Sequence, residues 1–151
     1  MPETNAAGIF APNVREAAEL PVTAFQARLA VQSEVGRQLA KLQRYGVVSH
    51  QWTAVQEYLE QYPDLATMLP AICEQAREEF EPSDELAVEL YCDPEIKDEY
   101  LTLYIRQSRY EADIMARIER LSDTFSDRLE HASGDLLLTS DFSSPRGSDV
   151  L

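Results

Sequence analysis

The sequence predicts an α+β domain in which helices pack on a small, mainly antiparallel three-stranded sheet, in the order α-α-α-β-β-α-β. Three observations predict it. Apolar residues recur at helical spacing up to Phe80, the period switches to alternation at Glu85, and helical spacing returns from Ser108 before a short apolar run at Leu136-Leu137-Leu138. A chain of 151 residues has the size of one ordinary domain, and 44% hydrophobic residues suffice for a core.

Residues 1–22 carry Pro2, Gly8, Pro12 and Pro21 without a sustained period and read as a mobile arm. Residues 23–46 read as an amphipathic helix, with Thr23 as N-cap and Gly46 as the stop. Phe25, Val35, Leu39 and Leu42 form its seam at a spacing near 3.5. Packing on its own domain is the default for such a helix, and pairing with a second copy is the alternative.

Residues 47–142 read as the α+β core. Ser49 looks like the N-cap of a second helix with Trp52, Val55 and Leu59 in line and Tyr58 to one side, ending before Pro63. A third helix runs from Asp64 through Phe80, and Pro70 inside it calls for a kink or a start nearer Leu69. Leu86, Val88 and Leu90 alternate with Ala87, Glu89 and Tyr91, and Leu101, Leu103 and Ile105 alternate with Tyr100, Thr102, Tyr104 and Arg106. The connection, Cys92 to Glu99, is too short for a crossover, so the two strands pair antiparallel. A fourth helix is expected from Ser108 to His131, striped by Tyr110, Ile114, Ile118, Leu121, Phe125 and Leu129. Residues 135–142 then return to the sheet as a third strand, and 143–151 read as an untethered tail.

Charge narrows the function classes. Thirteen Lys and Arg against 27 Asp and Glu give a formal charge of -14 and a pI near 4.4, which disfavours direct binding to nucleic acid or to anionic lipid. No apolar run reaches the roughly 18 residues of a membrane span and no secretory leader is evident, so a cytoplasmic location is expected. The excess is local. Residues 47–107 hold 14 acidic and 3 basic side chains, a net -11, whereas residues 1–46 sum to +1.

Little in the chain points to catalysis. His50 and His131 are the two histidines, there is no nucleophile elbow, phosphate loop or dinucleotide fingerprint, and Cys73 and Cys92 do not form a close metal or redox pair. Both thiols are expected to be buried as small hydrophobes. An enzyme would have to rest on carboxylates, such as Glu89 or Asp141 raised in pKa by burial among tyrosines.

Two surfaces are candidates. The carboxylates Asp93, Glu95, Asp98 and Glu99 of the hairpin connection, with the run Glu78 to Glu85 before it, offer the oxygen ligands that calcium selects. They lack the alternating register of a calcium loop, so a solvated turn is the simpler reading, and no cofactor other than calcium is suggested. The second surface is the outer face of the hairpin, where Glu89, Tyr91, Tyr100, Tyr104 and Arg106 would bind a protein partner. Helices packed on that face would instead bury it.

The stretches Gln51-Trp52 through Tyr62-Pro63-Asp64-Leu65, Leu86-Ala87-Val88-Glu89-Leu90-Tyr91 with Asp93-Pro94-Glu95, Asp98 through Arg106, and Leu136-Leu137-Leu138-Thr139-Ser140-Asp141-Phe142 together resemble a family of small, acidic bacterial proteins without a settled function. The resemblance covers about residues 47–142. It implies a compact α+β domain and transfers no catalytic residue. The function expected is that of a non-enzymatic cytosolic interaction or regulatory protein, in one variant an antitoxin-like inhibitor, whose acidic hairpin region and tyrosine face bind a partner with a basic surface. A calcium-binding regulatory or buffering protein is the alternative.

Overall fold

The computed structural model describes residues 23–147 and divides the chain into two units, Met1–Ala30 and Val31–Leu151. The expected arm, residues 1–22, lies outside the described residues. The elements are α1 (Ala24–Arg44), α2 (Trp52–Gln61), α3 (Pro63–Glu79), β1 (Glu85–Asp93), β2 (Asp98–Arg106), α4 (Ile114–His131) and β3 (Leu136–Thr139). This is the α+β order expected.

In the first unit, α1 starts on a capping box. Thr23 Oγ1 accepts the Gln26 N–H at 3.1 Å, and Gln26 Oε1 accepts the Thr23 N–H at 3.0 Å, so two otherwise orphaned donors are satisfied reciprocally. In the second unit α1 buries Val35, Gln38, Leu39 and Leu42 and stops at Gly46, whose φ of 78° lies in the left-handed region. The Gly46 N–H bonds to the Gln43 carbonyl and the Val47 N–H to Leu42, which is a Schellman closure with Val47 and Leu42 both in the core.

The next two helix starts depart from the reading. Ser49 does not cap α2; its hydroxyl accepts the Gln51 N–H, and the helix begins at Trp52. Nor is Tyr58 off to one side. It is buried in the core, and its hydroxyl accepts the Asp135 N–H at 2.9 Å, tying α2 to the entry of β3. In α3, Pro63 occupies the first turn, where a missing N–H costs nothing, and the helix runs through Pro70 to Glu79. The restart near Leu69 is therefore not used. Pro70 is buried together with Leu65, Leu69, Ile72 and Cys73 on the core side of the helix.

β1 and β2 pair antiparallel along their whole length, from Glu85 opposite Arg106 to Asp93 opposite Asp98. The connection is only residues 94–97, tightened by Asp93 Oδ1 accepting the Glu95 N–H at 2.9 Å and by Lys97 at φ 54°. β3 lies parallel to β2, with Leu101 opposite Leu136 and Leu103 opposite Leu138, so the sheet is mixed in the order β1-β2-β3. At the far edge of β1, Val48 makes an unforeseen parallel bridge to Ala87.

The register places Leu86, Val88, Leu90, Leu101, Leu103, Ile105, Leu136 and Leu138 on one face. All but the partly buried Leu90 and Leu136 are buried in a single cluster with the apolar stripes of the helices of the second unit, including Ile114, Ile118, Leu121 and Phe125 of α4. That stripe is as expected, but α4 begins at Ile114 instead of Ser108. Gln107 competes with the helix: its side chain accepts the Glu111 N–H at 3.0 Å and donates to Asp84 at 3.0 Å, so that backbone donor is satisfied without a helical turn. After α4, Gly134 passes so close to Tyr62 that a Cβ would sit 2.9 Å from its ring, which leaves room only for glycine.

Candidate functional site

The opposite face of the sheet carries Glu85, Ala87, Glu89 and Tyr91 from β1, Tyr100, Thr102, Tyr104 and Arg106 from β2, and Leu137 and Thr139 from β3. Its two ends differ. At the end remote from the hairpin turn, Arg106 is only 1% exposed and sits among three carboxylates. Its Nη1 donates to Glu85 Oε1 at 3.1 Å and its Nη2 to Glu89 Oε2 at 3.0 Å, while Asp141 receives Nε at 3.1 Å and Nη2 at 2.9 Å. The guanidinium also lies 4.7 Å from the centre of the Tyr104 ring.

One buried guanidinium among three carboxylates leaves negative charge in excess, and Arg146 Nη2, 3.8 Å from Asp141 Oδ2, together with backbone donors absorbs part of it. Glu85 Oε2 accepts the N–H groups of Arg146 at 2.9 Å and Gly147 at 2.6 Å, and Asp141 Oδ1 accepts that of Ser143 at 3.0 Å. Burial works against the charge of Arg106, but the bonds to Asp141, Glu89 and Glu85 outweigh it and raise its pKa, so it is a fixed cation. The same Arg106 bond holds Asp141 down at about 2. This reverses the rise expected for an acid–base carboxylate at Asp141. An open cleft of about 580 Å³ beside this end is lined by Arg44, Tyr45, Arg77, Asp84, Glu85 and Gly147, and reaches neither Glu89 nor Asp141.

These bonds also correct the reading of the C-terminal stretch. Residues 143–147 are anchored, not untethered: besides the contacts to Glu85, the Tyr110 hydroxyl donates to the Ser143 carbonyl at 2.6 Å. The strand stops at Thr139, short of the expected residue 142, and the chain passes through Phe142, whose φ of 56° is a left-handed conformation rarely adopted by so large a residue. The Phe142 ring packs on Tyr110 with centroids 5.0 Å apart.

At the hairpin end the face is open. Tyr91 and Tyr100 are directly opposed across β1 and β2 and stack with centroids 4.9 Å apart. Tyr91 is 43% exposed, and Leu137, opposite Thr102 and diagonal to Tyr100 and Tyr104, is 46% exposed. Tyr104 is half-buried; burial raises its phenol pKa, and Glu89 and Asp141 add to the rise. Beneath these rings the small residues Ala87 and Thr102 are buried, and Ala87 stands outside the main core cluster. Exposed Glu95, Asp98 and Glu99 lie beyond the tyrosine pair, with Lys97 the one basic residue of the turn.

The residues expected to bind a partner are thus divided. Tyr91, Tyr100 and Tyr104 share the open surface with one edge of Glu89, whereas Arg106 is buried and spent on carboxylates, so it is not a surface contact. Leu137 was missed, because three consecutive leucines give no sign of which one faces out until the register with β2 is known. The calcium candidates Asp93, Glu95, Asp98 and Glu99 are not brought together: among the described residues no group of three or more His, Cys, Asp or Glu side chains converges as a ligand set. The thiols also part company. Cys73 is buried, which pushes it up to about 12, whereas Cys92 is exposed, with Sγ 3.4 Å from Glu99 Oε2.

Fold and face together define an α+β protein whose mixed sheet is covered by helices on one side and carries a tyrosine- and leucine-bearing surface on the other. Comparison with protein-family models, curated proteins and solved structures finds no match to this chain.

Proposed function

We propose that this protein is a non-enzymatic interaction or regulatory protein that receives a protein partner on the open end of its sheet face. The observation that carries the reading is the set Tyr91 and Leu137, both exposed, with half-buried Tyr100 and Tyr104 between them, held on the sheet and bordered by carboxylates. Tyrosine supplies large contact area at small entropic cost and a hydroxyl at its tip, which is why it is enriched where partners bind. The acidic border and the charge of -14 favour a basic partner and would speed its encounter. Inhibition of an enzyme with a basic cleft, as an antitoxin does, is one form this binding takes. Kinship with the small acidic bacterial proteins rests on the quoted stretches and belongs to the same proposal, as does a cytoplasmic setting.

The test is co-purification from the native host in parallel with a Tyr100→Ala/Leu137→Ser variant whose circular dichroism matches the parent. A partner recovered by the parent, lost in the variant and released by raised salt supports the reading. Equal recovery by both proteins, or none above a charge-matched control, overturns it.

A further inference from the structure

The two edges of the sheet are not alike. β1 is met on its outer side by Val48, whose N–H donates to the Leu86 carbonyl and whose carbonyl accepts the Val88 N–H, each at 2.9 Å, and by Gln51, whose Oε1 accepts the Leu90 N–H at 2.9 Å. β3 has β2 as a neighbour on one side only. The Leu101 N–H bonds to the Asp135 carbonyl at 3.0 Å, and the two-residue period of a strand then turns the N–H and C=O groups of Leu136 and Leu138 away from β2. Among the described residues no backbone hydrogen bond meets them from that side.

Free edges are ordinarily blunted by lysine, proline or a bulge, since a bare one templates strand addition. Leu136-Leu137-Leu138-Thr139 has neither lysine nor proline, and its pairing with β2 is regular. It is four residues long, with Leu138 covered and α4 packed beside it, while Leu136 and Thr139 are partly exposed and Leu137 is open to solvent. The edge is also continuous with the open face, because Leu137 belongs to both.

We infer that the partner docks as an added strand: a basic, extended segment of another protein pairs with the outer edge of β3 along Leu136–Thr139 and lays alternate side chains over Leu137 beside Tyr100 and Tyr104. This rests on the proposed function and specifies how the partner is held. Main-chain bonds to the edge supply affinity and the face supplies selectivity, as in other strand-addition complexes. Charge chooses the occupant. A second copy would bring another -14, whereas a lysine- or arginine-rich strand finds Asp135 exposed at the entry of β3 and, on α4, which packs against it, exposed Glu119, Asp123, Asp127 and Glu130 outnumbering exposed Arg120 and Arg128.

The experiment uses the full chain and two synthetic hexapeptides that alternate lysine and valine, identical except that one is N-methylated at every second residue and cannot pair through its backbone. The expected result is binding of the plain peptide, at least tenfold weaker binding of the methylated one, and slowed hydrogen exchange at the Leu136 and Leu138 amides when the plain peptide is bound. Equal binding of both peptides, with shifts confined to Tyr91, Tyr100 and Tyr104, overturns strand addition and leaves the face reading standing. Binding of neither at millimolar concentration overturns it too, the face reading then being judged by its own co-purification test. Protection of the two amides in the protein alone, rising with its concentration, makes a second copy the occupant and overturns the basic partner.

Discussion

The two ends of the outer sheet face draw on the same strands and on similar residue types, carboxylates beside tyrosines, yet one is sealed and the other open. The difference is a single buried arginine. Arg106 gathers Glu85, Glu89 and Asp141 around one guanidinium, and with Asp141 comes the segment 140–147, which lies across that end. At the hairpin end, among the described residues, no cation gathers the carboxylates in this way; Tyr91 and Tyr100 stack on each other, Tyr91 exposed and Tyr100 half-buried. Identical pleating thus yields a structural knot where charge is paired under cover, and a docking surface where charge stays in water.

The sharpest way to break the contrast is Arg106→Ala. It leaves buried Glu85 without its cation, and removing one partner of a buried ion pair costs about 3–5 kcal/mol. Urea unfolding followed by circular dichroism should show a loss of that order; a loss below about 1 kcal/mol would mean that the sealed end contributes little.

Truncation after Phe142 is the next step down. It removes the Arg146 and Gly147 donors to Glu85 and the Ser143 carbonyl that Tyr110 binds. A destabilisation of about 2 kcal/mol is expected in the same assay, the scale of leaving buried polar groups unsatisfied. An untethered tail would give none.

Asp141 supplies a pH signature. Its folded pKa, near 2, lies below its ordinary value of 3.8, so its contribution is fully present above about pH 4 and is lost as pH falls through the folded value. Because the carboxylate is partly exposed, that contribution is set at about 1 kcal/mol. The stability difference between the parent and Asp141→Asn should hold at neutral pH and shrink toward zero near pH 2. A difference that does not change across this range would separate Asp141 from the arginine.

The smallest effect belongs to the open end. Leu137→Ser replaces a half-exposed side chain that faces away from the core, so stability should change by no more than about 0.5 kcal/mol while partner recovery falls. A large drop in melting temperature would show that Leu137 is structural and that the face is not free.

Much of the fold is legible because period and punctuation are local. The alternation of Leu86 to Tyr91 and of Tyr100 to Arg106 assigns every side chain of the hairpin to its observed face, and Thr23 and Gly46 mark both ends of α1 as they were read. Helix starts were less legible where a side chain competes with the backbone, as Ser49 and Gln107 do. The site divided in the same way. Its tyrosines follow from alternation, but Arg106, read as one more partner-binding residue of the hairpin's outer face, takes its role from Glu85 and Asp141, which lie 21 and 35 residues away along the chain.

By itself, then, the sequence determined the class of fold, the pairing of the hairpin, the apolar stripes and the acidity, because each depends on neighbours within a few turns or on composition. Only the tertiary structure decided that β3 runs parallel to β2, that Leu137 faces out while Leu136 and Leu138 face in, that Arg106 is buried and that the C-terminal stretch is bound down. Those outcomes depend on register and on charges meeting from distant parts of the chain, where one residue of slip turns a strand over and one buried guanidinium selects which carboxylates leave the surface.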